Sequence, residues 1–254
     1  MSCNGEQIGD LEREGSERNA MWARLTRRSP ERAFSLLLHG GDQVYADQVT
    51  EGHPLSEDWP RTYPQGSFAR RSCRLRHYLR ERFLERYVAL YRAPEFCLDR
   101  RARAVSHAVG RPRYCDGWGS LPGSKTDTPV GQILFDVARE SFLTFQHAAV
   151  DGDLPERFHD PAGLHLGWCV RTAGLRLLAP DMRSERTRHE VMGDGGWKMI
   201  RAEASTPVQG HTFLMSSVPL LGPRLSVLEA LMVAIPKMQK YGRSARSVAK
   251  PRSP

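Results

Sequence analysis

The stretch "LLLHGGDQVYAD", residues 36–47, decides the fold. With Ala33, Phe34 and Ser35 it forms a compact apolar run, which predicts a buried strand. The run stops at Gly40 and Gly41, a pair that lets the backbone turn tightly and leaves room beside the next residue. Asp42 then stands at the strand's C-terminal end, where α/β sheets place their ligand sites. Tyr45, three residues on, falls on the same side if the turn continues helically. A carboxylate and a phenol are hard donors suited to ferric iron or another oxygen-loving metal. The motif alone leaves open an ordinary strand-end turn with a capping aspartate, and Asp47 reads as a loop cap.

Working outward, residues 18–27 predict a short helix, and Leu75, Leu79, Phe83, Tyr87 and Tyr91 recur every four residues as one apolar face. Residues 130–146 predict a second long helix, and "LSVLEALMVAIP" a third that ends before Pro236. Residues 174–181 and 211–219 read as further strands, each closed by proline and polar residues. Strands alternating with helices predict an α/β protein, and the sequence has no internal repeat. Two segments read as disordered: the Pro/Gly-rich loop over 49–70 and the final tail, 242–254.

The 254-residue chain carries a net charge of +8, which would ordinarily suggest a nucleic acid or an acidic membrane as partner. The excess is local. Arg101, Arg103, Arg111 and Arg113 lie in one irregular run, and Arg243, Arg246, Lys250 and Arg252 in the tail. The other 29 Lys and Arg residues match the 29 Asp and Glu residues. The tail also lacks interleaved aromatic rings for stacking on bases, so nucleic-acid binding is not expected. No run approaches the roughly 20 apolar residues of a membrane span. The polar N-terminus and five scattered cysteines point to a cytoplasmic protein with reduced thiols.

Seven blocks occur in order: "SCNG", "NAMWARL", "LLLHGGDQVYAD", "CDGWGS", "FQ" at Phe145 and Gln146, "PDMRSERTR" and "SSVPLLGPRLSVLE". Together they resemble the PhoD-like branch of the calcineurin-like metallophosphoesterases, from about residue 2 to Tyr241. The resemblance implies a sandwich of two β-sheets flanked by helices. It also implies hydrolysis of phosphomonoesters or phosphodiesters by metal-activated water, often with iron and calcium. By that resemblance Cys3 is a thiolate ligand to iron, Asp42 the carboxylate bridging two metals, and Tyr45 a phenolate ligand. Asp181, Arg183 and Arg186 are candidates to orient the phosphate, with a structural ion pair among them as the alternative.

The sequence departs from that pattern at "AVSHAVGRPRY", residues 104–114, where the family carries "PSVMxWDDHDI" before "DGWGS". Codons exist for 104–114 that, read one base later, spell "PSVMLWDDHD" and the start of Ile. The tail permits the same offset, "GRSARSVAKPRSP" becoming "DDLRDQWQSRAHR". Residues about 100–114 and the tail 242–254 are therefore expected to be out of frame, in a partial domain over 1–241 that lacks its C-terminal strands. The expected product is a fragment of a phosphoesterase with little or no activity, half of its metal site being absent. A noncatalytic interaction protein and a basic nucleic-acid-binding protein are the alternatives. The substrate and the oligomeric state are not legible.

Overall fold

The computed structural model describes residues 13–28, 36–61, 69–96, 104–107, 118–172, 174–187 and 189–217. All belong to one unit, Met1–Val218. Cys3, the segment 108–114, the helix ending before Pro236 and the tail 242–254 lie outside the described residues.

Helix α1 (Gly15–Arg18) passes through Asn19 into α2 (Ala20–Arg28), which buries Trp22. Strand β1 (Leu36–His39) alternates half-buried and buried positions, as period-two geometry requires. Leu37 joins a cluster with Trp22, Val44 and the long helices, whereas Leu36 and Leu38 pack on a second cluster around Trp168 and Leu177. β1 therefore has apolar partners on both faces, which is why its sequence is a continuous apolar run.

After β1, residues 47–50 form a 3₁₀ turn and further turns continue to Arg61. The disorder expected over 49–70 does not hold for 49–61. Val49, Leu55 and Trp59 are buried there, Ser56 Oγ donates to the Thr50 carbonyl at 2.8 Å, and Trp59 Nε1 donates to Thr128 Oγ1 at 3.2 Å. The glycine and proline content marked turns correctly, but three apolar anchors fix those turns to the core.

Helix α3 (Ala69–Tyr91) follows, with Leu75, Leu79, Phe83 and Tyr87 completely buried along one face. Truncating any one of them to Ala would cost about 3–5 kcal/mol. Strand β2 (Ala104–His107) then pairs parallel to β1 in the register Leu36↔Ala104 to His39↔His107. This corrects the reading of the arginine-rich run as lacking a strand. A ladder is made by main-chain groups, and four residues without proline supply them whatever their pattern. The order β1, α3, β2 is a βαβ unit, whose parallel strands need such a crossover.

A short helix α4 (Gly123–Thr126) leads into α5 (Pro129–Phe142). Thr128 caps α5 by accepting from Gly131 N at 3.2 Å, and Pro129 occupies the first turn, where its missing N–H costs nothing. Arg76 pairs with Asp136 at 2.8 Å and Arg80 with Glu140 at 2.9 Å. Beyond the end of α5, Gln146 Nε2 donates to Tyr87 Oη at 3.0 Å. The partners advance together in sequence, so α3 and α5 run parallel. α5 closes in a π turn, Leu143–His147, which ends at Ala148 in a left-handed conformation (φ 49°).

The second sheet has the order β3-β4-β5, from β3 (Trp168–Thr172), β4 (Leu175–Ala179) and β5 (His211–Leu214). β3 and β4 are antiparallel, while β4 and β5 are parallel and connected through α6 (Asp194–Ser205). The α/β class is confirmed, with β4 and β5 on the predicted strands and β3 and α6 unanticipated. Among the described residues no helix is long and apolar enough to cross a membrane.

Candidate functional site

At the C-terminal end of β1 the backbone turns through Gly41 at φ 111° and Asp42 at φ 54°. Aspartate tolerates the left-handed region better than most residues, yet the conformation costs on the order of 1 kcal/mol and recurs at functional positions. The helical continuation that would have brought Tyr45 beside Asp42 is not formed. Asp42 is left-handed, and the 3₁₀ turn begins only at Asp47. Tyr45 is instead tucked into the protein at 7% exposure, within the same strand-end loop.

The partner that reaches Asp42 comes from the second sheet. Arg183 Nη2 lies 3.6 Å from Asp42 Oδ1, with only 13% of the aspartate side chain exposed. Arg183 sits on the loop that follows β4, and Asp181 fixes that loop. Fully buried, Asp181 accepts from Leu166 N at 2.8 Å through Oδ2, and from Arg183 N at 2.9 Å and Ser184 N at 2.8 Å through Oδ1. Ser184 Oγ also donates to its Oδ2. A carboxylate that accepts several N–H groups is well compensated for its burial. Asp181 is thus the loop's anchor, and an ion pair joins Arg183 to Asp42.

Arg186, three residues on, lies along Gly119: a Cβ added at Gly119 would stand 2.9 Å from Arg186 Cδ and Cγ. The two sheets therefore bring charged side chains together at the end of β1, Asp42 from the first and Arg183 from the loop after β4, while Arg186 lies against Gly119. Two further positions carry signals that sequence reasoning passed over. Gly119 is small because Arg186 crosses it. His39, the last residue of β1, is fully buried with its ring centroid 5.6 Å from Trp22 and 6.0 Å from Phe96. The run of leucines before His39 hid it as an apolar-strand position.

Asp42 and Tyr45 are right in kind for iron or calcium but too few for a centre. Among the described residues no three His, Cys, Asp or Glu side chains come together as a metal-holding group. The described donors thus do not fit the dinuclear centre that the resemblance implies.

The model of the family described as PhoD related phosphatase matches residues 8–248. An uncharacterized protein of Saccharomyces cerevisiae, YGR266W, is 22% identical over 278 residues, covering 92% of this chain. The chain spans only 38% of that protein's length. No solved structure matches the chain.

Proposed function

The chain belongs to the PhoD-related phosphatase family, and from that premise we propose that it carries the phosphate-holding part of a phosphoesterase site. The observation that carries this reading is the meeting of Arg183 with Asp42, 3.6 Å apart, at the C-terminal end of β1. A guanidinium offers a planar fork of donors that matches phosphate oxygens, and Arg186 adds a second cation three residues away. Asp181 holds the loop that carries both, so the cations are positioned before a ligand arrives.

The ligand class is a phosphate ester, and the family's reaction is its hydrolysis with a metal-bound water as nucleophile. Asp42 and Tyr45 remain on the metal side of the site, with Cys3 assigned there by resemblance alone, and iron with calcium as the metals. No hydrolytic step is derived from the described donors; with the acidic block out of frame, the chain as it stands is expected to turn over little or no substrate. The acidic block that would complete the site belongs at 104–114, out of frame in this sequence, as is the tail 242–254. The two sheets form the family's sandwich; the packing of Leu36 and Leu38 on the second sheet's cluster supports that arrangement.

The test replaces residues 104–114 with the sequence PSVMLWDDHDI in the full chain. The parallel register makes the end of β2 level with the end of β1, so the new carboxylates would follow at the same end as Asp42. The expected result is iron or calcium retained through desalting and hydrolysis of bis(p-nitrophenyl) phosphate above the unmodified chain, both lost on Asp42→Ala. A folded replacement chain that does not hydrolyse the ester refutes the reading.

A further inference from the structure

A hollow of about 420 Å³ lies beside the arginine loop, bounded on one side by Trp118, Gln132 and Phe135 and on the other by Ser184 and Arg186. Its size falls within the usual range for small-molecule sites. The Trp118 and Phe135 rings are near parallel at 29°, with centroids 6.0 Å apart, and both are half-buried. Trp59 braces Trp118 from a further side, with centroids 5.5 Å apart, and is itself buried and tied to Thr128. Gln132 Nε2 is turned back onto the Thr126 carbonyl at 3.3 Å. The hollow thus has an aromatic side and a polar side, with the carboxylates of Asp127 and Glu185 also lining it, and Ser184, Glu185 and Arg186 belong to the loop that carries Arg183 to Asp42.

We propose that this hollow is the subsite for a planar heteroaromatic ring on the organic side of the phosphate ester, so that the ligand is of the nucleotide class. The proposal rests on the phosphate-holding reading above and adds to it the group that the phosphate carries. Trp118 and Phe135 stack on each other and both line the hollow, so a ring set against either would find the flat apolar contact that bases find on aromatic side chains, a contact that tolerates any base. The Cα atoms of Arg183 and Arg186 are at most about 11 Å apart along an extended chain, so the hollow that Arg186 lines lies within a few residues of the cation that meets Asp42. Arg186, with its stem laid across Gly119, joins the two ends. Ring recognition here needs no metal, so it survives in the chain as it stands.

The experiment uses the full chain and four probes: adenosine 5′-monophosphate, adenosine, ribose 5-phosphate and inorganic phosphate. Binding is read by quenching of tryptophan fluorescence and confirmed by equilibrium dialysis. The expected result is that the monophosphate binds at least about tenfold more tightly than ribose 5-phosphate, the lower range of base-on-aromatic stacking. Trp118→Leu removes that ratio while leaving ribose 5-phosphate binding in place. Phe135→Leu, at a half-buried position, lowers the same ratio and serves if the tryptophan variant fails to fold. Equal binding of the two phosphates, or no binding of either, overturns the proposal. So does a variant that weakens both alike. Turnover by the chain with PSVMLWDDHDI at 104–114 separates the two readings. No turnover with the ratio intact sinks only the phosphoesterase reading, and turnover without the ratio sinks only the ring subsite.

Discussion

Replacing Asp181 by Asn keeps its shape and removes one acceptor oxygen. The carboxylate serves two pairs of donors: Oδ1 takes Arg183 N and Ser184 N, and Oδ2 takes Leu166 N and Ser184 Oγ. If the amide oxygen stays with the first pair, the Ser184 hydroxyl can turn and accept from the new NH2. The Leu166 N–H cannot turn, and faces a donor in a fully buried place. One stranded backbone donor plus the lost charge assistance comes to about 2 kcal/mol. Asp181→Ala strands all three backbone donors and should cost about 4 kcal/mol, at the upper end for single substitutions. Urea unfolding followed by far-ultraviolet circular dichroism measures both. Values within about 0.5 kcal/mol of the parent, typical of surface changes, would refute the anchoring role. So would an Asn variant that costs as much as the Ala variant.

Three further outcomes follow from the same structure. Burial in an aromatic surround, and then the charge of Arg157, push the His147 imidazole down to about 3, so it stays neutral when folded. The unfolded chain then binds more protons below the usual histidine value of about 6.5, and stability falls by about 2 kcal/mol from pH 6.5 to 5. His147→Phe should flatten that slope in denaturation curves at the two pH values, and an unchanged slope would contradict the assignment. Gly41→Ala meets a φ of 111° and should destabilise by about 1–3 kcal/mol by the same assay, a value near zero counting against the left-handed turn. Cys169 is buried and its thiol is pushed up to about 11, first by burial and then by Glu203. Peptide mass analysis after alkylation at pH 8 should therefore find the exposed Cys73 modified and Cys169 untouched until the chain unfolds.

What the sequence disclosed, and what it hid, follows from how far each signal reaches. The four-residue beat from Leu75 to Tyr87 is local, and α3 forms where it predicts. The Gly-Gly-Asp turn was legible because glycine permits backbone conformations that other residues avoid, as at Gly41. Its consequence for Asp42, a left-handed conformation rather than a helical start, depends on contacts far away in the chain. Asp181 and Arg183 were recognisable as a pair of charges at a strand end, but adjacency suggested that they bind each other. Only the fold shows that loop donors occupy the carboxylate and that the guanidinium reaches across to Asp42. β2 was invisible for a different reason: its stretch lacks apolar alternation, and its place is set by the neighbouring strand. The anchors Val49, Leu55 and Trp59 were masked by the glycines and prolines around them.

The Arg183–Asp42 pair makes the two halves of the site answer to each other. Each group serves the other as a counter-ion, so a cation drawn to the carboxylate would compete with the guanidinium, and an anion drawn to the guanidinium with the carboxylate. The first ligand bears the cost of parting them and the second is spared it. On the proposed phosphate-holding reading, a cation at Asp42 and a phosphate at Arg183 would favour each other's binding, and by reciprocity each would raise the other's affinity by the same factor. A chain with a weakened cation side would hold phosphate less firmly too, although no residue that touches the phosphate had changed.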